Sequence, residues 1–280
     1  GGGAESGAMS ANWWHSSHRK HFMKTASDLR KAEAADLQHL CHKDLFDLRN
    51  FFVDYLNELA THLKLRQRVV ATASVYFRRF YCRNAMSVRD AAGPAKVAPA
   101  CLYLAAKVEE CNVHAHQVCS AAKKACDMDR HRHRREWGLE VNEMLDLELL
   151  LLQELQFYLV VFHPYRDLVR YVEELSLDYQ ILEDAWLMAN DTYRTDLCLL
   201  FPPYLIALGV LYTVGHAHGK GQVVGPYLAE THVDEKEIRQ ICMEMLNFYN
   251  QYPQRQSLSS KQAVQLLSCL GAASEPTAGK

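Results

Sequence analysis

The sequence predicts an all-α protein: two five-helix repeats preceded by an additional N-terminal helix. Apolar residues recur at helical spacing through nearly all of residues 12–252, the mark of amphipathic helices. Two segments in corresponding places, PACLYLAAKV (99–108) and PPYLIALGVLY (202–212), share a proline start, large apolar residues and small residues that allow close packing. That element order implies an internal duplication of roughly a hundred residues. No stretch needs a strand to explain it.

Taken in order, GGGAESGA at the start reads as an expression scar, within a leading segment 1–11. Residues 12–43 form an N-terminal helical segment, and residues 44–162 the first repeat. In DLFDLRNFFVDYLNELATHL (44–63), Leu45, Leu48, Phe52, Tyr55, Leu56 and Leu59 share one face, which predicts a helix with that face buried. A second helix spans 65–81. AGPAKVAP (92–99) breaks the chain, and Pro99 suits the first turn of the next helix. A fourth helix lies near 114–126. WGLEVNEMLDLELLLLQELQFYLVVF (137–162) is apolar around most of its circumference, which predicts a central helix. HPYRDL (163–168) opens the second repeat, 163–252, with helices near 164–175, 180–198, 202–216, 222–230 and 234–251. In the tail, 253–280, a short amphipathic helix is expected at 259–270.

The bulk numbers exclude several classes. The chain has 280 residues, 49% of them hydrophobic, and a formal charge of −2, so there is no global footprint for nucleic acid or an anionic membrane. The longest apolar runs, such as FYLVVF (157–162), are far too short to span a bilayer. Nine cysteines without a CxxC suggest reduced thiols. Cys111, His114, His116 and Cys119 approximate a four-ligand set, but their spacing lacks the two distant ligand pairs of structural zinc, so neither metal nor cofactor is expected.

Enzyme motifs fail in turn. GHAHGKG (215–221) has one residue too few for a phosphate loop, lacks the Ser/Thr and follows a helix; it reads as a flexible loop between helices. HExxH, GxSxG and GxGxxG are absent. RHRHRR (130–135) reads as a solvated basic loop. The pattern favours a protein that works by contact.

Two all-α repeats with LAAKVEE ending the third helix of the first resemble the cyclin family, over about residues 40–250. The resemblance implies a cyclin-box fold and a non-catalytic regulatory subunit of a cyclin-dependent kinase. Lys107 and Glu148 match the lysine and glutamate with which cyclins contact the kinase around its regulatory helix. Chemically, an ammonium donor and a carboxylate acceptor clamp peptide groups of both polarities; a simpler reading pairs Lys107 with Glu110 one turn on. NWWHSSH (12–18), HLKLRQRVVATASVYFRRFY (62–81), VFHPYRDLVRYV (161–172) and NDTYRTDLCLLFPPYLIAL (190–208) are similar to the branch that pairs with the Mediator-associated kinase. This implies a nuclear protein regulating transcription by RNA polymerase II, with further Mediator kinase-module subunits as partners. It also places Asn190 and Asp191 at a groove between the boxes, lined by Trp14 and Tyr249. Trp13 and Trp14 equally suit an anchor for the N-terminal helix.

The chain departs from the family pattern in two places. LRNFF (48–52) stands where cell-cycle cyclins carry a substrate-docking patch. Arg49 matches a family arginine whose acidic partner is here Arg78, so Arg49 is expected to turn to solvent or to another acid such as Asp54. The competing reading is a DNA-binding adaptor of the transcription factor IIB type, which also has two such repeats.

Overall fold

Capping chemistry sets where the helices start. The computed structural model describes residues 13–86, 93–128, 138–231, 233–251 and 258–272; the leading segment 1–11 and the basic run RHRHRR lie outside these. A Thr25–Asp28 capping box opens α1 (Ala26–Glu33), satisfying two backbone donors reciprocally. The Cys41 sulfur accepts the Asp44 amide at 3.4 Å at the start of α2 (His42–His62). Then come α3 (Gln67–Tyr81), α4 (Pro94–Val108), α5 (Ala115–Met128) and α6 (Val141–Glu154), the last begun by a Glu140–Glu143 box. The second half comprises α7 (Tyr165–Glu174), α8 (Tyr179–Asp191), the single turn α9 (Leu197–Leu200), α10 (Pro203–Ala217), α11 (Gly221–Glu230) and α12 (Glu235–Gln251). A final helix, α13 (Ser260–Ala272), packs back on α2. Among the described residues there is no strand, and no helix is long and apolar enough to cross a membrane.

Within the first half α4 packs against α2, α3, α5 and α6; within the second α10 packs against α7, α8, α11 and α12. The small residues explain these central places. Gly209 of α10 meets α12 so closely that a Cβ would lie 2.6 Å from Ile241 Cγ2. Gly209→Ala should therefore destabilise the fold by about 1–3 kcal/mol, despite the better helix propensity of alanine. A urea midpoint at or above that of the unsubstituted protein would count against this close approach.

Four expectations need correction. The central helix of the first half is α4 and not the segment 137–162: α6 stops at Glu154, because Gln156 and Phe157 take left-handed conformations (φ 53° and 60°) and the Phe157 amide closes the helix end on Leu152 O at 2.9 Å. Pro99 lies inside α4, whose first turn is formed by Pro94 after Gly93. The N-terminal segment is a series of short pieces: a 3-10 turn (Trp13–His15), a π turn (His18–Phe22), α1 and a second 3-10 turn (Asp36–Gln38). GHAHGKG is mostly helical, leaving a three-residue connection, His218–Lys220, with Gly219 at φ 69°.

The N-terminal pieces strap the two halves together. The Phe162 amide donates to His18 Nδ1 at 3.2 Å, and the Lys24 amide to Leu199 O at 2.8 Å. The Phe22 ring lies 4.0 Å from the Arg79 guanidinium, a cation–π contact. Burial pushes the Arg79 pKa down to about 10. Burial, with the charge of Arg79, pushes His18 down to about 2.

Candidate functional site

The last turn of α4 carries the one long charged side chain in a run otherwise committed to the core. Leu102, Leu104, Ala105 and Ala106 are buried, whereas the Lys107 side chain keeps 48% of its surface exposed. Glu110 at φ 55° and the Cys111 amide bonded to Ala106 O at 2.8 Å end the helix just beyond, a left-handed C-terminal cap. Lys107 Nζ donates to Glu148 Oε1 across to α6 and lies 5.1 Å from the Tyr103 ring. The bond to Glu148 raises the Lys107 pKa against a smaller desolvation effect. Lys107 therefore pairs with Glu148 between helices, in place of the local pairing with Glu110. An ammonium has three donors, so this bond leaves two for another molecule.

Glu148 is nearly buried, and beside it α6 turns a second apolar face outward. Met144, Leu147 and Leu151 face the core, whereas Val141, Leu145 and Leu149 are exposed, Leu149 by 54%. Their spacing of four residues makes a stripe; beyond the helix Phe157 (65% exposed), Tyr158 and Val160 are exposed as well. Sequence reasoning missed the stripe by taking an all-round apolar helix as buried. The signal was present in the register: Met144, Leu147 and Leu151 form one face, and Val141, Leu145 and Leu149 another.

The residues expected at the groove between the halves are only partly brought together. Tyr249 OH donates to Asp191 Oδ2 at 2.8 Å, and Arg194 bridges Asp191 (3.4 Å) and Asp54 (2.6 Å). Asn190, the neighbour of Asp191, accepts from Tyr165 OH at 2.9 Å, and Tyr165 stacks on Trp186. Trp14 packs on Tyr204, with the Arg19 guanidinium 5.0 Å from its ring. The helix expected over 180–198 breaks at Asp191 into a 3-10 turn, Thr192–Arg194. Among the described residues no three His, Cys, Asp or Glu side chains converge as a metal-binding group.

The model of the family described as "Cyclin, N-terminal domain" matches residues 20–160. The chain belongs to the cyclin family. Over 246 residues it is 37% identical to cyclin-C of Rattus norvegicus, covering 87% of this chain and 85% of that protein. It is 38% identical to cyclin-C1-1 of Oryza sativa subsp. japonica over 251 residues, 88% of this chain and 93% of that one. Among solved structures it superposes on a chain of the CAK complex of Chaetomium thermophilum bound to ATP-gamma-S, with TM-score 0.70, 19% identity, and 92% and 88% of the two chains covered. A chain of the yeast RNA polymerase II CTD kinase complex CTDK-1 matches with TM-score 0.67, 17% identity, and coverage of 92% and 85%. These two share the cyclin fold.

The pairing of Arg49 differs from the expected one. Arg49 does not turn to solvent, nor to Asp54, which is taken by Arg194. It bonds to Glu33 of α1 and lies 4.0 Å from Asp196. Arg78 binds Asp196 at 2.6 Å and donates to Tyr193 O at 2.9 Å. Arg49 and Arg78 thus share Asp196, which lies just before α9 in the second half. The physical cause is charge: two cations cannot pair, and Asp196 supplies the shared anion.

Proposed function

We propose that this cyclin is the non-catalytic, activating subunit of a cyclin-dependent kinase of the Mediator-associated type. The observation that carries the reading is the outward apolar stripe of α6 with the Lys107–Glu148 pair at its edge. A kinase helix laid along Val141, Leu145 and Leu149 buries apolar surface, while Lys107 donates to its backbone carbonyls or carboxylates. Active kinases require a positioned regulatory helix and its Lys–Glu pair for phosphoryl transfer. A rigid helical body pressing there shifts the kinase population toward the competent state; no residue of the cyclin need touch ATP.

The similarity to cyclin-C proteins supports a nuclear role in RNA polymerase II transcription, with Mediator kinase-module subunits as further partners. In this reading helices α2–α6 form one five-helix box, and α7, α8 and α10–α12 the other, with α4 and α10 in equivalent places. Trp14, Asn190, Asp191 and Tyr249 border the groove between the boxes. Mixing the purified protein with the Mediator-type kinase and, separately, a cell-cycle kinase tests the reading. Selective binding and phosphoryl transfer with the first are expected; binding to neither would overturn it.

A further inference from the structure

A chain of hydrogen bonds runs through the seam and ends beside the kinase-facing lysine. Tyr193 OH lies 2.5 Å from His163 Nδ1. His163 Nε2 lies 2.8 Å from Thr72 Oγ1, and Thr72 Oγ1 2.7 Å from Glu109 Oε1. Glu109 is held from its other side by Arg68 Nε at 2.7 Å. One arrangement of protons satisfies all of these contacts. The Glu109 carboxylate only accepts, so the Thr72 hydroxyl must donate to it. Thr72 then accepts from His163 Nε2–H, and His163 Nδ1 accepts from Tyr193 O–H. All the bonds point toward Glu109, so each polarises the next. The chain needs a neutral imidazole, with one donor and one acceptor. Burial, with the charges of Arg68 and Arg79, provides it by pushing the His163 pKa down to about 3.

The connection spans the fold. Thr72 is on α3, Glu109 caps α4 two residues after Lys107, His163 precedes α7, and Tyr193 lies in the 3-10 turn that follows α8. Arg68, Thr72 and Tyr76, spaced by four on α3, all face this junction, Tyr76 OH donating to Leu159 O at 2.5 Å. Stabilising the local helix is not the use of such side chains: none of these bonds is made within a helix.

We infer that Tyr193, His163, Thr72 and Glu109 are positioning residues: they set the last turn of α4, and with it Lys107, from the second half of the molecule. Kinase affinity then depends on side chains that the kinase does not touch. The inference rests on the kinase-binding reading of Lys107.

Titration calorimetry with the Mediator-type kinase tests it. Thr72→Val is expected to weaken binding about tenfold, the scale of one buried hydrogen bond, and Thr72→Ser to restore it within about twofold. Ser74→Ala removes a buried hydroxyl on the same helix, one that donates to Val70 O at 2.9 Å within that helix. It should leave affinity within about twofold whatever it does to stability. In a Lys107→Ala background the Thr72→Val effect should shrink to about twofold. An undiminished effect in that background, or equal losses with Ser74→Ala, would overturn the relay.

Failure of the unsubstituted protein to bind, or no effect of Lys107→Ala, would instead reject the kinase reading. Amide exchange at Glu109 and Cys111 reads the positioning without a kinase. Thr72→Val should speed it about tenfold, and unchanged exchange would reject the relay on its own.

Discussion

Lys107→Glu is expected to weaken binding to the Mediator-type kinase by roughly a hundredfold or more, with the helical fold retained. Losses of that scale follow from truncating or reversing a charge that meets a desolvated partner group. Lys107 is half-exposed and its helix is anchored by buried Leu102, Leu104, Ala105 and Ala106, so the backbone should stay in place. Locally, two carboxylates at 107 and 148 would repel. The exchanged pair, Lys107→Glu with Glu148→Lys, separates the two roles. It re-forms the bridge between α4 and α6, so the thermal midpoint should return toward that of the unsubstituted protein. The partner, however, would meet a carboxylate where it expects an ammonium, and binding should stay lost. Recovery of kinase binding by the exchanged pair would mean that the bridge acts only in folding.

The second large effect is acid sensitivity above the range where carboxylates titrate. His18 and His163 are buried and held neutral, down to about pH 2 and 3, against an ordinary value of 6.5. Behind burial, the Arg79 charge disfavours protonation of both rings and the Arg68 charge that of His163, and a proton on His163 would disfavour one on His18. The unfolded chain therefore binds protons at these sites below pH 6.5 while the native state does not. Stability is full above pH 6.5 and falls as pH drops toward the native values. The slope is ~1.4 kcal/mol per pH unit for each histidine, or about 4 kcal/mol for the two at pH 5. Urea midpoints measured from pH 7.5 to 5 check this, and His18→Gln should roughly halve the slope. A flat profile would show that neither ring stays neutral in the fold.

How far the sequence could be read differs between elements for physical reasons. The face of α2 was legible because one side of the helix is wet and the other dry, which leaves a periodic signal. The start of α10 was legible from Pro202 and Pro203, whereas Pro99 suggests a start for α4 more than a turn late, because Pro94 opens the helix. The end of α6 was not legible: it depends on left-handed Gln156 and Phe157, residues with no such preference. Nor was the solvent-facing stripe of α6, since apolar residues awaiting a partner and apolar residues in a core are the same letters.

Helix content, the small-residue pattern shared by α4 and α10, and the match to cyclins all follow from local spacing and short motifs, which act over one or two turns. The central place of α4 does not, since the apolar letters of 137–162 pointed to that segment instead. Nor does the pairing of charges. Arg49 could meet Asp54, Glu33 or Asp196, and each choice obeys the same chemistry. The fold brings Glu33 of α1 and Asp196, just before α9, to Arg49 and gives Asp54 to Arg194. The same holds for Lys107, where Glu110 is near in sequence but Glu148 is near in space. Likewise the line from Tyr193 to Glu109 joins four separate sequence segments whose distances exist only once both halves are assembled. Long side chains reach several partners at comparable energy, so the assembled backbone makes the choice.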